Sequence, residues 1–162
     1  MKIKNRKGNV FLILHNIRSV HNVGSIFRTA EAIGVSKMYT TGYTPAPVDR
    51  FGKVRSDIAK TALGAENIVQ WEQAPDIKIL IEKLRKDGTK VIAVEQSKKS
   101  IDYKNFKLEG SAAFIFGSET EGIEEDVLEM CDSTIEISMY GEKESLNVSV
   151  SAGIVLFSIF DR

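Results

Sequence analysis

The sequence has no surplus of charge of either sign. Its 162 residues include 22 basic and 22 acidic side chains, which give a formal net charge of zero. Any surface for a polyanion must therefore be a local patch. The single cysteine, Cys131, excludes an internal disulfide and is typical of a reducing compartment. No apolar run approaches the length of a signal peptide core or a membrane span, so we expect a soluble, cytoplasmic protein without a membrane partner.

Several catalytic signatures are also absent. The only histidines are His15 and His21, and neither has a cysteine or carboxylate at metal-ligand spacing, so we expect no metal site. The G-x-S-x-G nucleophile turn and the G-x-G-x-x-G dinucleotide fingerprint are missing. No Lys-Ser/Thr pair follows Gly122, which excludes a phosphate-binding P-loop.

The chain does contain short apolar runs that alternate with helical patterns. The predicted strands are VFLIL (10–14), KMYTTGY (37–43), NIVQW (67–71), KVIAVEQ (90–96), AAFIF (112–116) and STIEIS (133–138). The predicted helices are Asn22–Gly34, Pro75–Lys86 and 123–131. This alternation, without repeats or linkers, predicts one α/β domain over residues 1–162, with a mostly parallel sheet flanked by helices.

Two segments need separate treatment. Thr44–Asp57 has two prolines, a glycine and several basic residues, and predicts a long, locally basic loop of the kind that often carries function. The segment SLNVSVSAGIVLFSIF (145–160) begins with strand-like alternation, but its apolar residues also fit a helical stripe. The preceding order of strands and helices favours a helix, covered on more than one side, for which a second subunit would supply the extra cover.

Three polar, glycine-marked segments each follow a predicted strand. The first is NIRSVHNVGSIFR, in which Gly24 permits close approach and Arg28 can hold a phosphate through two hydrogen bonds. Alternatively, Asn22 only caps the helix and Arg28 is a solvated surface residue. Because the carboxyl ends of parallel strands meet at one edge of a sheet, all three segments are expected to converge on one site.

The other two segments lie in the second half of the chain. FGSETEG (116–122) predicts a tight turn able to cradle a nucleoside, or else a plain turn in which Glu119 or Glu121 accepts from amides of the following helix. In ISMYGEKESLNVSVSAG (137–153), Ser145, Asn147 and Ser149 stand at a helix start. They would suit hydrogen bonding to a ligand, although Ser145 is also typical of a simple N-cap.

Taken together, these segments resemble the three signature motifs of the SpoU/TrmH-type RNA 2′-O-ribose methyltransferases of the SPOUT superfamily. NIRSVHNVGSIFRTAEAIGV resembles the first motif, FIFGSETEGI the second and IEISMYGEKESLNVSVSAGIVLF the third. KTALGAEN (60–67) also resembles the family's middle segment. The resemblance implies a sheet with a deep C-terminal trefoil knot, a homodimer, and S-adenosylmethionine bound in the knot.

The resemblance also assigns residues. It implies the catalytic residues Arg28, Asn16, Asn22, Glu119 and Asn147. It implies the cofactor-binding residues Val94, Gly117, Gly122, Ile137, Met139, Ser145 and Leu146. With the loop residues expected to contact RNA, the RNA-binding candidates are Arg18, Arg50, Lys53 and Arg55. Relatives often carry an added RNA-binding domain, and we expect this chain to be the catalytic core alone.

The expected reaction is methyl transfer to a ribose 2′-hydroxyl of tRNA or rRNA, with tRNA preferred. Because a guanidinium group is a poor base, we expect Arg28 to orient the phosphate and the 2′-hydroxyl. The alternatives are a catalytically silent RNA-binding homodimer, an RNA base methyltransferase, and another nucleotide-binding α/β enzyme such as a hydrolase.

Overall fold

Seven strands form one sheet in a computed structural model of the chain, which describes residues 8–160. The strands are β1 Val10–His15, β2 Lys37–Thr41, β3 Trp71–Ala74, β4 Lys90–Val94, β5 Ile101–Asp102, β6 Ala112–Phe116 and β7 Ser133–Glu136. Their order is β3-β2-β1-β6-β4-β7-β5, and every neighbouring pair is parallel. The predicted parallel α/β architecture is confirmed.

Five α-helices connect and cover these strands. They are α1 Val20–Ile33, α2 Ser56–Ala62, α3 Ile77–Lys86, α4 Glu125–Met130 and α5 Val148–Phe160. The helix predicted after β1 is confirmed, and it ends where Gly34 adopts a left-handed conformation with φ 75°. The ambiguous last segment is helical from Val148 onward, as the strand–helix alternation favoured.

The side chains of β6 show how the sheet divides the core. Phe114 and Phe116 join a buried cluster with residues of α1 and α5 on one face. Ala113 and Ile115 join a second cluster with residues of α3 and α4 on the other face. Because successive strand residues point to opposite faces, a strand buried on both sides has an unbroken apolar run in its sequence.

The strand predicted at 67–71 is wrong. Leu63 and Gly64 both have positive φ, 51° and 92°, so α2 ends there and a 3-10 turn covers Ala65–Asn67. The strand begins only at Trp71, which pairs with Met38 of β2. The apolar residues before Trp71 form the turn, because the neighbouring strand and not the local pattern decides where β3 starts.

The loop predicted over Thr44–Asp57 is shorter in the structure, because α2 begins at Ser56. Neither α2 nor the two-residue strand β5 was predicted. Helix α2 packs against α1 at Gly24. A Cβ atom on Gly24 would lie 2.0 Å from Thr61 Oγ1 and 2.5 Å from the Ile58 carbonyl oxygen. Gly24 therefore permits close approach, as its position predicted, and the group that approaches is the backbone of α2.

The sheet topology creates a crevice at its carboxyl edge. Strand β1 pairs with β2 on one side and β6 on the other, so the loops that leave β1 and β6 diverge. Crevices at such switch points are where open α/β sheets bind ligands. Within residues 8–160, no helix is both long and apolar enough to span a bilayer.

Candidate active site

A cleft of about 490 Å³ opens at this carboxyl edge, between the loops that follow β4, β6 and β7 and the start of α5. Its lining includes all of the residues predicted to bind a cofactor: Val94, Gly117, Gly122, Ile137, Met139, Ser145 and Leu146. Glu119 and Asn147 line it as well. The fold therefore gathers the second and third motifs into one cavity of a size that suits a small ligand.

The turn after β6 forms one wall of the cleft. Ser118 and Gly122 exchange two backbone hydrogen bonds, at 3.2 Å and 3.0 Å, which close the turn. Gly122 has φ 70°, and a Cβ atom there would lie 2.5 Å from Glu95 Oε2. A Cβ atom on Gly117 would lie 2.8 Å from the Gly122 carbonyl carbon. Only glycine fits these two positions without moving the backbone or Glu95.

The loop after β7 forms the opposite wall and is tied to the segment that follows β4. Gln96 Nε2 donates to the Glu144 carbonyl oxygen at 2.7 Å. The Ser138 hydroxyl donates to Asp102 at 2.8 Å. The backbone N–H of Lys104 and this hydroxyl together lower the pKa of Asp102 below its ordinary value. These contacts fix the loop that carries the third motif.

A hydrogen-bonded network joins all three motifs around Glu119. Its carboxylate accepts from the backbone N–H groups of Arg18 and Ser19, at 3.1 Å and 3.2 Å. It also accepts from Asn22 Nδ2 at 3.1 Å. Asn147 Nδ2 in turn donates to Asn22 Oδ1 at 3.1 Å. Three of the five predicted catalytic residues therefore form one polar unit beside the cleft.

The charge on Glu119 is supported by this network. Desolvation of the carboxyl raises its pKa, but the hydrogen bonds from its own backbone N–H, from Asn22 and from the Arg18 and Ser19 amides outweigh this effect and lower it. The lowered pKa keeps Glu119 ionised at neutral pH. An ionised carboxylate can only accept hydrogen bonds, which fixes the orientation of the Asn22 amide group.

The plainer interpretations of Asn22, Glu119 and Ser145 are wrong, whereas Arg28 is exposed, as its interpretation as a solvated surface residue predicts. Ser19, and not Asn22, caps α1 by accepting from the Asn22 backbone N–H. Glu119 accepts from the start of α1 and not from the helix that follows its own turn. Asn147, and not Ser145, stands before α5 and accepts from the Ser149 backbone N–H at 2.9 Å. The side chains of Asn22, Glu119 and Asn147 thus make hydrogen bonds to segments that are remote in the chain.

Three predicted catalytic residues do not line the cleft: Asn22, which is connected to it through Glu119 and Asn147, and the remaining two, Asn16 and Arg28. Asn16 has φ 55°, and its side chain donates to Glu124 at 3.0 Å and accepts from the Tyr43 backbone N–H at 3.2 Å. Arg28 is exposed on α1 beyond Asn22. Neither side chain lines the cavity, so within one chain the site divides into a cleft and an adjoining surface.

Sequence reasoning missed the buried polar role of His15. It is 6% exposed at the end of β1, with Nδ1 2.7 Å from Thr41 Oγ1 and Nε2 3.0 Å from Glu124 Oε2. These bonds connect the ends of β1 and β2 to the start of α4. A signal was present, because a histidine that ends an apolar strand stands at the carboxyl edge of the sheet, and a buried imidazole needs hydrogen-bond partners there.

Sequence reasoning also missed the acidic character of the cleft. Glu95, Glu119, Glu121 and Glu136 all line it, and no lysine or arginine does among residues 8–160. A concave surface of one charge sign concentrates ions of the opposite sign. The cleft also has apolar walls, so its chemistry fits a ligand with a positive charge and a flat apolar part, such as the sulfonium and adenine of S-adenosylmethionine. The described part of the chain contains no cluster of potential metal ligands.

The RNA-binding candidates lie around the loop after β2. Arg18 and Arg50 are exposed, and each guanidinium carbon lies over an aromatic ring, 5.6 Å from the Tyr43 centroid and 4.8 Å from the Phe51 centroid. The side chain of Lys53 is exposed in the same loop. This group places positive charge beside the cleft.

Arg55 differs from the other three candidates. It donates to both carboxylate oxygens of Asp57, at 3.2 Å and 2.8 Å. The hydrogen bond to Asp57 raises the pKa of Arg55, and the same bond lowers the pKa of Asp57. Because its charge is already paired, Arg55 contributes less to the positive potential of the loop than Arg50 or Lys53 does.

Comparison with known proteins agrees with this geometry. Residues 9–157 match the model of the SpoU rRNA methylase family. The chain is 35% identical over 147 residues to the 23S rRNA (guanosine-2′-O-)-methyltransferase RlmB of Neisseria meningitidis, covering 91% of this chain and 56% of that protein. It is 30% identical to the TrmH-family protein YacO of Bacillus subtilis, covering 94% and 58%. The chain thus spans less than two thirds of these relatives.

Solved structures of similar fold include two at 25% identity. One is a TrmH/SpoU tRNA modifying enzyme from A. aeolicus, with a TM-score of 0.83, covering 96% of this chain and 76% of that one. The other is an AdoMet-bound rRNA methyltransferase from Sinorhizobium meliloti, with a TM-score of 0.84, covering 97% and 57%. With the family match over nearly its whole length, this chain belongs to the SpoU rRNA methylase family.

Proposed function

We propose that this protein is an S-adenosylmethionine-dependent RNA methyltransferase that acts on a ribose 2′-hydroxyl. The observation that carries the proposal is the meeting of the acidic cleft with the Asn22–Glu119–Asn147 network at the edge of the sheet. The alignment of two substrates requires a cleft for the methyl donor beside a set of fixed polar groups. The family membership and the RlmB relative support the same reaction.

In this proposal the cleft holds S-adenosylmethionine, whose sulfonium supplies an electrophilic methyl group. The Gly117–Gly122 turn offers backbone groups to the adenosine, and Val94 and Leu146 contribute apolar walls. The glutamates attract the positive sulfonium and disfavour an anionic ligand. The structural relative from Sinorhizobium meliloti was solved with AdoMet bound.

The adjoining surface then receives RNA. Asn147 and Asn22 orient groups of the acceptor ribose from the cleft side, while Asn16 and Arg28 are available to ribose and phosphate on the outer side. We assign Arg28 an orienting role, since a guanidinium fork matches a phosphate through two hydrogen bonds.

The proposal includes a homodimer. On α5, Val150 and Phe157 are 49% and 46% exposed although the helix is largely apolar. A second copy packed on this face would cover them, as the pattern of α5 predicts.

The trefoil knot stays a prediction. The relatives include an rRNA methyltransferase and a tRNA modifying enzyme, and we retain tRNA as the expected substrate.

Calorimetric titration with S-adenosylmethionine, followed by methylation of total tRNA and rRNA with labelled cofactor, tests this function. We expect binding and label in alkali-resistant dinucleotides, because a 2′-O-methyl group blocks cleavage of the adjacent phosphodiester. Label in mononucleotides released by alkali would instead indicate base methylation, because the 2′-hydroxyl is then free and the adjacent phosphodiester is cleaved. Cofactor binding without methyl transfer would indicate the silent RNA-binding homodimer. The absence of cofactor binding would refute the assignment of the cleft to S-adenosylmethionine.

The variant Arg28→Lys sharpens this test, because it keeps the charge and removes the planar fork. We expect unchanged cofactor binding and a loss of most methyl transfer. Nearly full turnover by this variant would contradict a two-bond role for Arg28.

A further inference from the structure

A second cavity, of about 450 Å³, lies under the loop between β2 and α2, and we call it the loop cavity. Tyr43, Arg50 and Phe51 are among the residues that line it. It adjoins the cofactor cleft, because the Tyr43 hydroxyl lies 3.5 Å from the hydroxyl of Ser118, which lines that cleft. Tyr43 therefore stands between the two cavities.

The rim of this second cavity carries exposed aromatic rings under arginine side chains. Phe51 is 81% exposed and Tyr43 48% exposed. The Arg50 guanidinium lies 4.8 Å from the Phe51 ring centroid, and the Arg18 guanidinium 5.6 Å from that of Tyr43. Flat aromatic and guanidinium surfaces are the groups on which proteins stack unpaired bases, and the arginines add attraction for the RNA backbone.

The loop that presents Phe51 is held by its own hydrogen bonds. Asp49 Oδ1 accepts from the backbone N–H groups of Phe51 and Lys53, at 2.8 Å and 2.9 Å. Val48 and Val54 form an antiparallel bridge across the base of the loop. A loop ordered in advance loses less conformational entropy when it binds a ligand.

The position of Tyr43 is tied to the first motif. Its backbone N–H donates to Asn16 Oδ1 at 3.2 Å. The neighbouring Arg18 donates its own backbone N–H to Glu119, so the Arg18–Tyr43 pair stands at a fixed place relative to the polar network. Tyr43 is thus a direct neighbour of Asn16, which places the rim of the second cavity beside the surface proposed for the acceptor ribose.

We propose that the loop cavity is a nucleobase subsite, in which Phe51 and Tyr43 stack an unpaired base of single-stranded RNA at or next to the methylated ribose. This inference rests on the proposed function and extends it to the substrate. It requires the acceptor nucleotide to lie in a loop, bulge or end of its RNA, because a base inside a duplex is already stacked on its neighbours.

Phe51→Trp provides a direct reporter of stacking. A short oligoadenylate should quench the added tryptophan fluorescence, measured as the difference from the wild-type protein, which contains only Trp71. An abasic oligonucleotide of the same length and charge should give much less quenching. Equal quenching by the two oligonucleotides, or none by either, would overturn the subsite.

Phe51→Ala measures the contribution of the ring to affinity. Fluorescence anisotropy with labelled oligoadenylate should show binding weakened about 5- to 150-fold, the range for loss of one stacked base. Phe51→Tyr should restore most of the affinity. The matched control is Ile79→Ala, which removes a side chain 66% exposed on α3, and it should bind as the wild type does.

Two further measurements distinguish base stacking by Phe51 from a role of this ring in cofactor binding or in a protein contact. Calorimetry with S-adenosylmethionine should give the same affinity for wild type and Phe51→Ala. If the cleft does not bind the methyl donor, neither protein will bind S-adenosylmethionine, and the oligoadenylate measurements will be unaffected. Sedimentation should show the same oligomeric state for both proteins. A change of oligomeric state with unchanged oligoadenylate binding would show that Phe51 contacts a protein and would overturn the subsite.

Discussion

The Glu119 network makes a quantitative prediction about stability. In the variant Glu119→Gln one carboxylate oxygen becomes an NH₂ group, which cannot accept a hydrogen bond. The remaining oxygen can keep the bonds from Ser19 and Asn22, but the new NH₂ group then faces the Arg18 N–H. One charge-assisted bond is lost and two are weakened. Because Glu119 is partly exposed to water, we expect a loss of about 1–2 kcal/mol.

The assay is thermal and urea unfolding at one protein concentration, followed by circular dichroism. For a domain of this size the expected loss lowers Tm by roughly 2–8 °C. The matched control is Glu121→Gln, because the Glu121 side chain lines the same cleft but makes no hydrogen bond within residues 8–160. We expect that variant to unfold within about 0.5 kcal/mol of the wild type.

The effect should also depend on pH, with a defined sign. The pKa of Glu119 is lowered in the folded protein from an ordinary value of 4.5. Its stabilisation is therefore complete above that value and is lost as the pH falls through the lower, folded pKa. The stability gap between wild type and Glu119→Gln should shrink in acid. A Glu119→Gln variant as stable as the wild type at neutral pH would refute the reasoning.

Other perturbations test the fold and the RNA surface. Gly24→Ala should cost about 1–3 kcal/mol in urea unfolding, because its Cβ would collide with α2. Burial, aided by a neighbouring carboxylate, raises the pKa of Cys131 to about 11. A thiol reagent should thus label the native protein slowly at mildly alkaline pH and the urea-unfolded protein fast, and equal rates would contradict that environment. Replacing Arg50 and Lys53 together by glutamate should weaken RNA binding and reduce its salt dependence, and an unchanged salt slope would show that the loop is only a solvated surface.

Local signals made much of the fold predictable. The helical spacing of apolar residues and the left-handed Gly34 defined α1, and the unbroken apolar runs defined β1, β4 and β6. These elements are buried on a whole face or on both faces, so their composition alone reports their environment. Their alternation with helices also predicted that the polar segments meet at one edge of the sheet.

The elements that were not predicted depend on neighbours. The seven residues of α2 are too few to form a stable helix alone, and this helix exists because it packs on α1 at Gly24. In β3 only Ala74 is buried, so the strand has no strong apolar pattern and is defined by its pairing with β2. Such elements obtain their stability from tertiary contacts that no short window of sequence contains.

For the site, the sequence by itself determined which residues carry the chemistry: the polar, glycine-marked motifs and their placement after parallel strands. Only the tertiary structure decided how they are used. Asn22 and Glu119 are 97 positions apart, and their hydrogen bond forms because the fold brings the turn after β6 beside the start of α1. The four glutamates that make the cleft acidic come from three stretches remote in the chain: Glu95 after β4, Glu119 and Glu121 in the turn after β6, and Glu136 at the end of β7. Hydrogen bonds and electric fields depend on distances in space, and folding sets these distances for residues remote in the chain.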